Sequence, residues 1–217
     1  MIKFTTYCAH RSGSNFLQQL IVDNFEDCDY IENDHNKTGW KHQSYHPAFM
    51  DGKDFCLIIA RHPVKWVNSC MRFNADMWKW WNVNGKEPGD LSFLYNKRHV
   101  SIVKMMTRWN AFYNGWLKNT DCKFIWFPDL LVEKSRNKIL KEIGLQHSLT
   151  KKNDNIIVPK KVQHSKKFTE EKKILEFNMS NNDMLNDKPY IIDYINHNID
   201  NELLQMMMEY SINEFKI

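Results

Sequence analysis

Two short apolar runs constrain the fold of this chain more than any other feature of its sequence. They read FCLIIA at residues 55 to 60 and CKFIWF at residues 122 to 127. Strands that are apolar at nearly every position are buried on both faces, which is typical of a parallel sheet covered by helices. Two further runs, IKFTTYCA at 2 to 9 and CDYIE at 28 to 32, also predict strands. The sequence therefore predicts a central parallel sheet.

Helical patterns alternate with these strands. Apolar periodicity predicts helices over residues 14 to 24, 64 to 72, 91 to 118, 135 to 144, and 199 to 215. Pro63 favours a helix start, and Gly144 is placed as a helix C-terminal cap would be. Since strands and helices alternate, the fold class is predicted to be α/β, with helices flanking the sheet.

Length and composition limit the function classes. A chain of 217 residues is long enough for a single domain, residues 1 to 217, with one core. The five cysteines are odd in number and widely spaced, which favours reduced thiols in an intracellular protein. No apolar run is long enough to span a membrane, and no signal-peptide pattern opens the chain, so a cytoplasmic protein without a membrane partner is expected. The net charge of +4 suits a small anionic ligand, and no nucleic acid is expected.

The first strand-to-helix junction has the composition of an anion site. The stretch YCAHRSGSNFLQQLI, residues 7 to 21, places Arg11, Ser12, Gly13, Ser14 and Asn15 between the strand and the helix. Backbone N–H groups at such a turn point outward at the positive end of a helix dipole. Glycine lets the backbone approach a ligand closely, and the arginine adds a permanent charge with a planar donor fork. The junction therefore predicts a phosphate site.

A second anion site is predicted after the third strand. In LIIARHPVKWVNSC, Arg61 follows the strand, Pro63 begins a helix, and Ser69 lies eight residues after Arg61. That separation is about two helical turns. If the helix folds back beside the strand end, Arg61 and Ser69 address one phosphate together.

The phosphate loop of nucleotide kinases, G-x-x-x-x-G-K-[ST], is absent from this sequence. No strand ends in an obvious Mg²⁺-holding aspartate either. The sequence therefore lacks two features that metal-assisted phosphoryl transfer normally uses, the phosphate loop and the Mg²⁺ ligand. A small P-loop-type nucleotide-dependent kinase is therefore the second choice.

In combination, RSGSNF at residues 11 to 16 and RHP at residues 61 to 63 with Ser69 resemble the sulfotransferases that use 3′-phosphoadenylyl sulfate, PAPS. The aromatic stretch RWNAFYNGWL at 108 to 117 and the segment 124 to 145 are similar to further parts of that family, so the resemblance covers residues 1 to about 145. It implies a single-domain α/β fold of P-loop-NTPase-like sulfotransferase topology.

The resemblance also implies cofactor contacts. In the family the first turn binds the 5′-phosphosulfate, which here gives Arg11, Ser12, Gly13 and Ser14 as matches and Asn15 as a mild departure. Phe16 takes the position of the aromatic residue near adenine. The family's paired arginine and serine for the 3′-phosphate would be Arg61 and Ser69, and no metal is required. A late basic loop often completes that phosphate site, for which the chain offers Lys160, Lys161, Lys166 and Lys167, with Lys166 and Lys167 preferred.

The predicted reaction transfers a sulfuryl group in line from PAPS to a hydroxyl or amine and releases adenosine 3′,5′-bisphosphate. Arg11 is assigned to the bridging oxygen, where an arginine stabilises charge but donates a proton poorly. Glu32, at the end of the second predicted strand, is the preferred base, and His42 and His46 are its rivals. The two histidines also have the i, i+4 spacing of a metal pair, but Pro47 argues against a helix there, and no metal is predicted.

Three tryptophans, at 78, 80 and 81, precede turn residues and predict a loop over the site. Trp78 and Trp81, with His46, are the predicted contacts to the acceptor, which is a small molecule or a glycan. A catalytically inactive relative that binds a nucleotide or glycan is the non-enzyme alternative. A nucleic-acid-binding module would act through the basic stretch at 150 to 167, with a steep salt dependence.

Overall fold

We analysed a computed structural model of the chain, which describes residues 1–10, 12–31, 42, 44–73, 92–95, 98–117, 123–159, 161–163, 174–176 and 189–209. For residues 71–73, 92–95, 98–100, 161–163 and 174–176 it describes the backbone alone. In chain order the elements are β1 (Ile2–Cys8), α1 (Ser14–Asn24), β2 (Cys28–Tyr30), a 3₁₀ helix (Pro47–Met50), β3 (Phe55–Ala60), α2 (Pro63–Phe73), β4 (Ser92–Tyr95), β5 (Arg98–Ser101), α3 (Ile102–Leu117), β6 (Lys123–Trp126), α4 (Phe127–Leu131), α5 (Glu133–Gln146), β7 (Lys161–Gln163), β8 (Ile174–Glu176), α6 (Pro189–Asn198) and α7 (Asn201–Glu209).

The four predicted strands form one parallel sheet in the order β2-β1-β3-β6. Each strand except the short β2 is buried along most of its length, as the apolar runs predict. Along β3, alternate side chains enter two different core layers, with Phe55, Leu57 and Ile59 on one face of the sheet. The coarse prediction of an α/β fold with a central parallel sheet flanked by helices is therefore confirmed.

The helices divide between the two faces of the sheet. Side chains of α1, α4 and α5 fill one core layer, and side chains of α2, α3, α6 and α7 fill the other. Because β2 and β3 lie on opposite sides of β1, the sheet has a topological switch point between β1 and β3. Ligands in open α/β sheets bind at such a point, beyond the carboxyl ends of the strands.

Two details of the predicted elements are wrong. The long helix predicted over 91 to 118 begins only at Ile102, and the described residues before it form the antiparallel strands β4 and β5. Gly144 does not end its helix, because α5 continues to Gln146. Gly144 instead lies beside Phe25, where an added Cβ would come within 3.1 Å of the ring. Its small size serves packing rather than capping.

Within the predicted loop at 150 to 167, residues 161 to 163 form the strand β7, and residues 152 to 157 are held against the C-terminal end of α1. The Asn24 side chain donates to the Ile157 carbonyl at 2.8 Å and accepts from the Ile157 N–H at 2.7 Å. The Lys152 N–H donates to the Asn24 carbonyl. Since α1 begins at the carboxyl end of β1, these contacts lie at the opposite end of the helix from the predicted phosphate turn. None of the helices in the described ranges is long and apolar enough to cross a membrane.

His147 makes the stability of the fold depend on pH. Its ring stacks on Phe55 at 3.7 Å between centroids and 7° between planes. Burial and then the Lys123 ammonium lower the pKa of His147 below its ordinary value. As pH falls below about 6.5, the unfolded chain therefore takes up a proton at this residue before the folded chain does. The neutral ring stabilises the fold above that pH, and the contribution is lost as the pH decreases.

We expect the substitution His147→Phe to flatten this pH dependence, because phenylalanine keeps the stacked ring and does not titrate. Urea unfolding between about pH 5.5 and 8 should give wild-type and variant curves that run parallel above about pH 7 and diverge below pH 6.5, where the wild type loses stability faster. Equal slopes below pH 6.5 would contradict the assignment.

Candidate functional site

The turn after β1 has the backbone geometry of an anion site. Gly13 is the N-terminal cap of α1 and adopts a left-handed conformation with φ of 101°. Its carbonyl accepts hydrogen bonds from the N–H groups of Phe16 and Leu17, so the regular helix begins at this residue. Backbone N–H groups in the first turn of a helix point along its axis toward a position that favours an anion.

Phe127 connects this turn to the end of β3. Its ring occupies the space where a Cβ at position 13 would lie, so only glycine fits against it without displacement. The Arg61 guanidinium carbon lies 4.1 Å from the centroid of the same ring. The two predicted anion-binding segments are therefore separated by one aromatic ring. Sequence analysis missed Phe127, although it is the last residue of the CKFIWF run and follows Trp126, the partner of Ala60 in the sheet.

The other predicted residues of the first turn differ in their exposure. Ser12 is fully buried, and its hydroxyl lies 3.5 Å from the hydroxyl of Tyr113, inside the protein. Ser14 is also buried, whereas Asn15 is half-buried. Phe16 is only 2% exposed and packs edge-on against Phe127, with ring centroids 6.0 Å apart. Phe16 is therefore a core residue that packs α1 against Phe127. Its burial argues against the predicted stacking on adenine.

The helix α2 lies beside the end of β1. The Trp66 indole N–H donates to the His10 carbonyl, and the Cys70 thiol lies 4.0 Å from the same oxygen. Ser69, which precedes Cys70 on α2, is half-buried. These contacts place the part of α2 around Trp66 and Cys70 beside the carboxyl end of β1. The contact of Ser69 with a phosphate remains a prediction.

Tyr113 is a second residue that sequence analysis missed. It is fully buried on α3, and its hydroxyl contacts the ends of both β1 and β3. Burial raises its pKa strongly, so the hydroxyl stays protonated. The signal in the sequence is a tyrosine on the apolar stripe of a helix, because a buried tyrosine hydroxyl needs a hydrogen-bond partner.

His42 lies at the carboxyl end of β1. Its Nδ1 is 2.7 Å from the Cys8 carbonyl oxygen, and its ring stacks on His10 with centroids 3.7 Å apart. Because a carbonyl can only accept, Nδ1 carries the proton in this hydrogen bond, and Nε2 is the basic nitrogen of the neutral ring. This placement brings one of the predicted bases to the same sheet edge as the Gly13 turn.

His46 has a structural contact of its own. Its Nδ1 accepts a hydrogen bond from the Ala48 N–H at 3.2 Å and so caps the 3₁₀ helix that begins at Pro47. The i, i+4 metal pair with His42 finds no support in the fold, because the helix starts after His46. Within the described residues no three histidine, cysteine or acidic side chains come together as a metal site.

His62 follows Arg61 and begins the turn into α2. Burial and then the nearby Lys65 ammonium lower the pKa of His62. It is therefore neutral at physiological pH, and the permanent positive charge beyond the end of β3 belongs to Arg61.

Several predicted site residues lie outside the described part of the chain, and their roles stay predictions. They are Arg11, Glu32, Trp78, Trp80, Trp81, Lys160, Lys166 and Lys167.

We expect Gly13→Ala to destabilise the fold more than Gly52→Ala. Both glycines have positive φ, but an added Cβ meets Phe127 at position 13 and open space at position 52. The Gly52 variant should lose about 1–2 kcal/mol from backbone conformation alone. The Gly13 variant should lose about 1–3 kcal/mol more, because the Phe127 ring must move. Urea unfolding measures both.

The double variant Gly13→Ala/Phe127→Leu serves as the control for the steric cause. Its loss of stability should be smaller than the sum of the losses of the two single variants, because the smaller side chain at position 127 leaves room for the methyl group. Equal losses in the Gly13 and Gly52 variants would show that Phe127 does not restrict the turn.

Comparison with known proteins returned no matching protein-family model, no matching curated protein and no matching solved structure.

Proposed function

We propose that this protein is a sulfotransferase that takes the sulfuryl group from PAPS and transfers it to a hydroxyl or amine of a small-molecule or glycan acceptor. The observation that carries the proposal is the position of Phe127, whose ring touches the Gly13 turn on one side and stacks under Arg61 on another. Two segments about 50 residues apart in sequence thereby form one positively polarised edge. A nucleotide with phosphate groups on both the 3′ and 5′ positions matches such a pair of sites.

The donor would bind with its 5′-phosphosulfate at the first turn of α1 and its 3′-phosphate near Arg61 and Ser69. The helix amides supply donors and partial positive charge for the first group. The Arg61 guanidinium carbon lies over the Phe127 ring, 4.1 Å from its centroid, where the cation and the ring attract each other. The guanidinium carries several N–H donors in a planar fork that matches a phosphate.

In the proposed transfer, the bond between sulfur and the bridging oxygen of the phosphosulfate breaks as the acceptor oxygen or nitrogen bonds to sulfur. The electron pair of the breaking bond stays on the leaving phosphate, which departs as adenosine 3′,5′-bisphosphate. Positive groups near the leaving oxygen stabilise that charge, and Arg11 remains the predicted group there. The remaining contribution of the protein is to hold donor and acceptor in line.

The acceptor's proton needs a base. Glu32 remains the predicted residue, and its position lies outside the described residues. The geometry of His42 supports it as the alternative, because the hydrogen bond to the Cys8 carbonyl orients the ring and makes Nε2 the proton acceptor. His46 has less support as the base, because its Nδ1 accepts the Ala48 N–H. A pair of substitutions separates Glu32 from His42.

We expect adenosine 3′,5′-bisphosphate to raise the melting temperature without metal, and ATP with Mg²⁺ to have little effect. At 100 times its Kd a ligand adds about 2.7 kcal/mol of stability. Arg61→Ala should abolish the bisphosphate shift, because it removes the cation beyond β3. Lys65→Ala removes an exposed cation from α2, four residues along the chain, and should retain the shift.

Thermal-shift titrations of the wild type, Arg61→Ala and Lys65→Ala with each nucleotide measure these changes in melting temperature. A Mg²⁺-dependent shift with ATP, and none with the bisphosphate, would favour the kinase. A full bisphosphate shift in Arg61→Ala would remove Arg61 from the site.

We expect Glu32→Gln to keep the bisphosphate shift and to reduce turnover of PAPS by about 10²–10⁴-fold, as loss of a general base does. Turnover is measured as bisphosphate released in the presence of a panel of phenols and sugars. His42→Ala is the matched comparison. If His42→Ala abolishes turnover and Glu32→Gln does not, the base is His42.

A further inference from the structure

The Tyr113 hydroxyl lies where the pairing of β1 with β3 ends. The last paired residues of the two strands are Cys8 and Ile59. The hydroxyl donates to the Ile59 carbonyl at 2.8 Å and accepts from the Ala9 N–H at 3.3 Å. It therefore bonds main-chain groups of both strands at the point where the sheet opens toward the candidate site.

A third contact extends this arrangement into the first turn. The Ser12 hydroxyl lies 3.5 Å from the Tyr113 oxygen. Since the tyrosine proton is engaged with Ile59, the Ser12 hydroxyl is the donor in this contact. One donor and two acceptor positions of the phenol are thus all used. Both side chains are fully buried, and buried hydrogen bonds of this kind are costly to break.

Packing does not explain this hydroxyl. The core layer around Tyr113 is formed by aromatic and aliphatic side chains, including Trp109, Phe112 and Phe124. A phenylalanine at position 113 would fill the same space. The phenolic oxygen is required only for its contacts with the strand ends and with Ser12.

We infer that Tyr113 is a positioning residue for the proposed anion site. Its hydrogen bonds hold the Gly13 turn at a set distance from Arg61. This inference rests on the proposed function for the identity of the ligand. Tyr113 bonds the strand ends from one face of the sheet, whereas Phe127 lies on the other face, between Gly13 and Arg61. The two residues together hold both segments before any ligand arrives, and a preformed site binds more tightly because less order is lost on binding.

Tyr113→Phe tests the inference, because it removes one oxygen and keeps the ring. Asn24→Ala is the matched control, since it removes buried hydrogen bonds at the opposite end of α1. Hydrogen exchange of the amides of residues 9 to 17 and titration with adenosine 3′,5′-bisphosphate are measured on the full chain. Denaturant unfolding gives the loss of global stability in each variant. The exchange rates and affinities of the two variants are then compared after correction for that loss.

We expect Tyr113→Phe to speed exchange of residues 9 to 17 and to weaken bisphosphate binding by about tenfold, the effect of losing one or two buried hydrogen bonds. Asn24→Ala should change neither quantity beyond its global loss of stability. In Ser12→Ala/Tyr113→Phe the effect on exchange should be smaller than the sum of the single effects, because the two hydroxyls act through one contact.

The exchange measurement needs no ligand, so the two proposals fail separately. If the wild type shows no bisphosphate shift, the proposed function is wrong, and exchange of residues 9 to 17 still decides the role of Tyr113. If Tyr113→Phe leaves both exchange and affinity as in Asn24→Ala, Tyr113 is an ordinary core residue and the inference is overturned. Should Tyr113→Phe fail to fold, Ser12→Ala alone must speed exchange in the turn for the inference to stand.

Discussion

The parallel pairing of β1 with β3 is the interaction on which the rest of the structure depends. Its register aligns Cys8 with Ile59, so the turn that contains Gly13 and the segment that contains Arg61 leave the sheet at the same level. With β2 on the other side of β1, the helices that follow β1 and β3 pack on opposite faces of the sheet. The candidate site exists because these two strands are neighbours.

Aromatic side chains determine the finer geometry of that site. Phe127 separates Gly13 from Arg61, and Tyr113 bonds the strand ends from the opposite side. Rigid rings with few rotatable bonds hold position at a low cost in conformational entropy. Buried rings account for part of the aromatic content of the chain. The core layer that contains Tyr113 is also filled by Trp66, Trp109 and Trp116.

Sequence reasoning was accurate where one local pattern determines the structure. The bounds of α1 and β3 agree with their predictions because a glycine turn precedes the first and turn residues flank the second. It failed at residues 92 to 95 and 98 to 101, which pair as antiparallel strands in place of the first turns of a helix. Apolar residues at short spacing suit a helix or a strand equally, and the choice depends on tertiary partners. Phe16 was assigned to the cofactor from the family resemblance, and its burial against Phe127 is invisible in the sequence.

The sequence by itself determined the α/β class, the parallel character of the sheet and the composition of the two predicted anion-binding segments. Each of these follows from residues that are close together in the chain, such as an apolar run or a glycine between a strand and a helix. Only the tertiary structure decided that the two segments share one aromatic ring, that Ser12 faces Tyr113 and that His42 lies beside Cys8. Those contacts join residues 34 to more than 100 positions apart, and their geometry depends on how the sheet and its two helical layers pack.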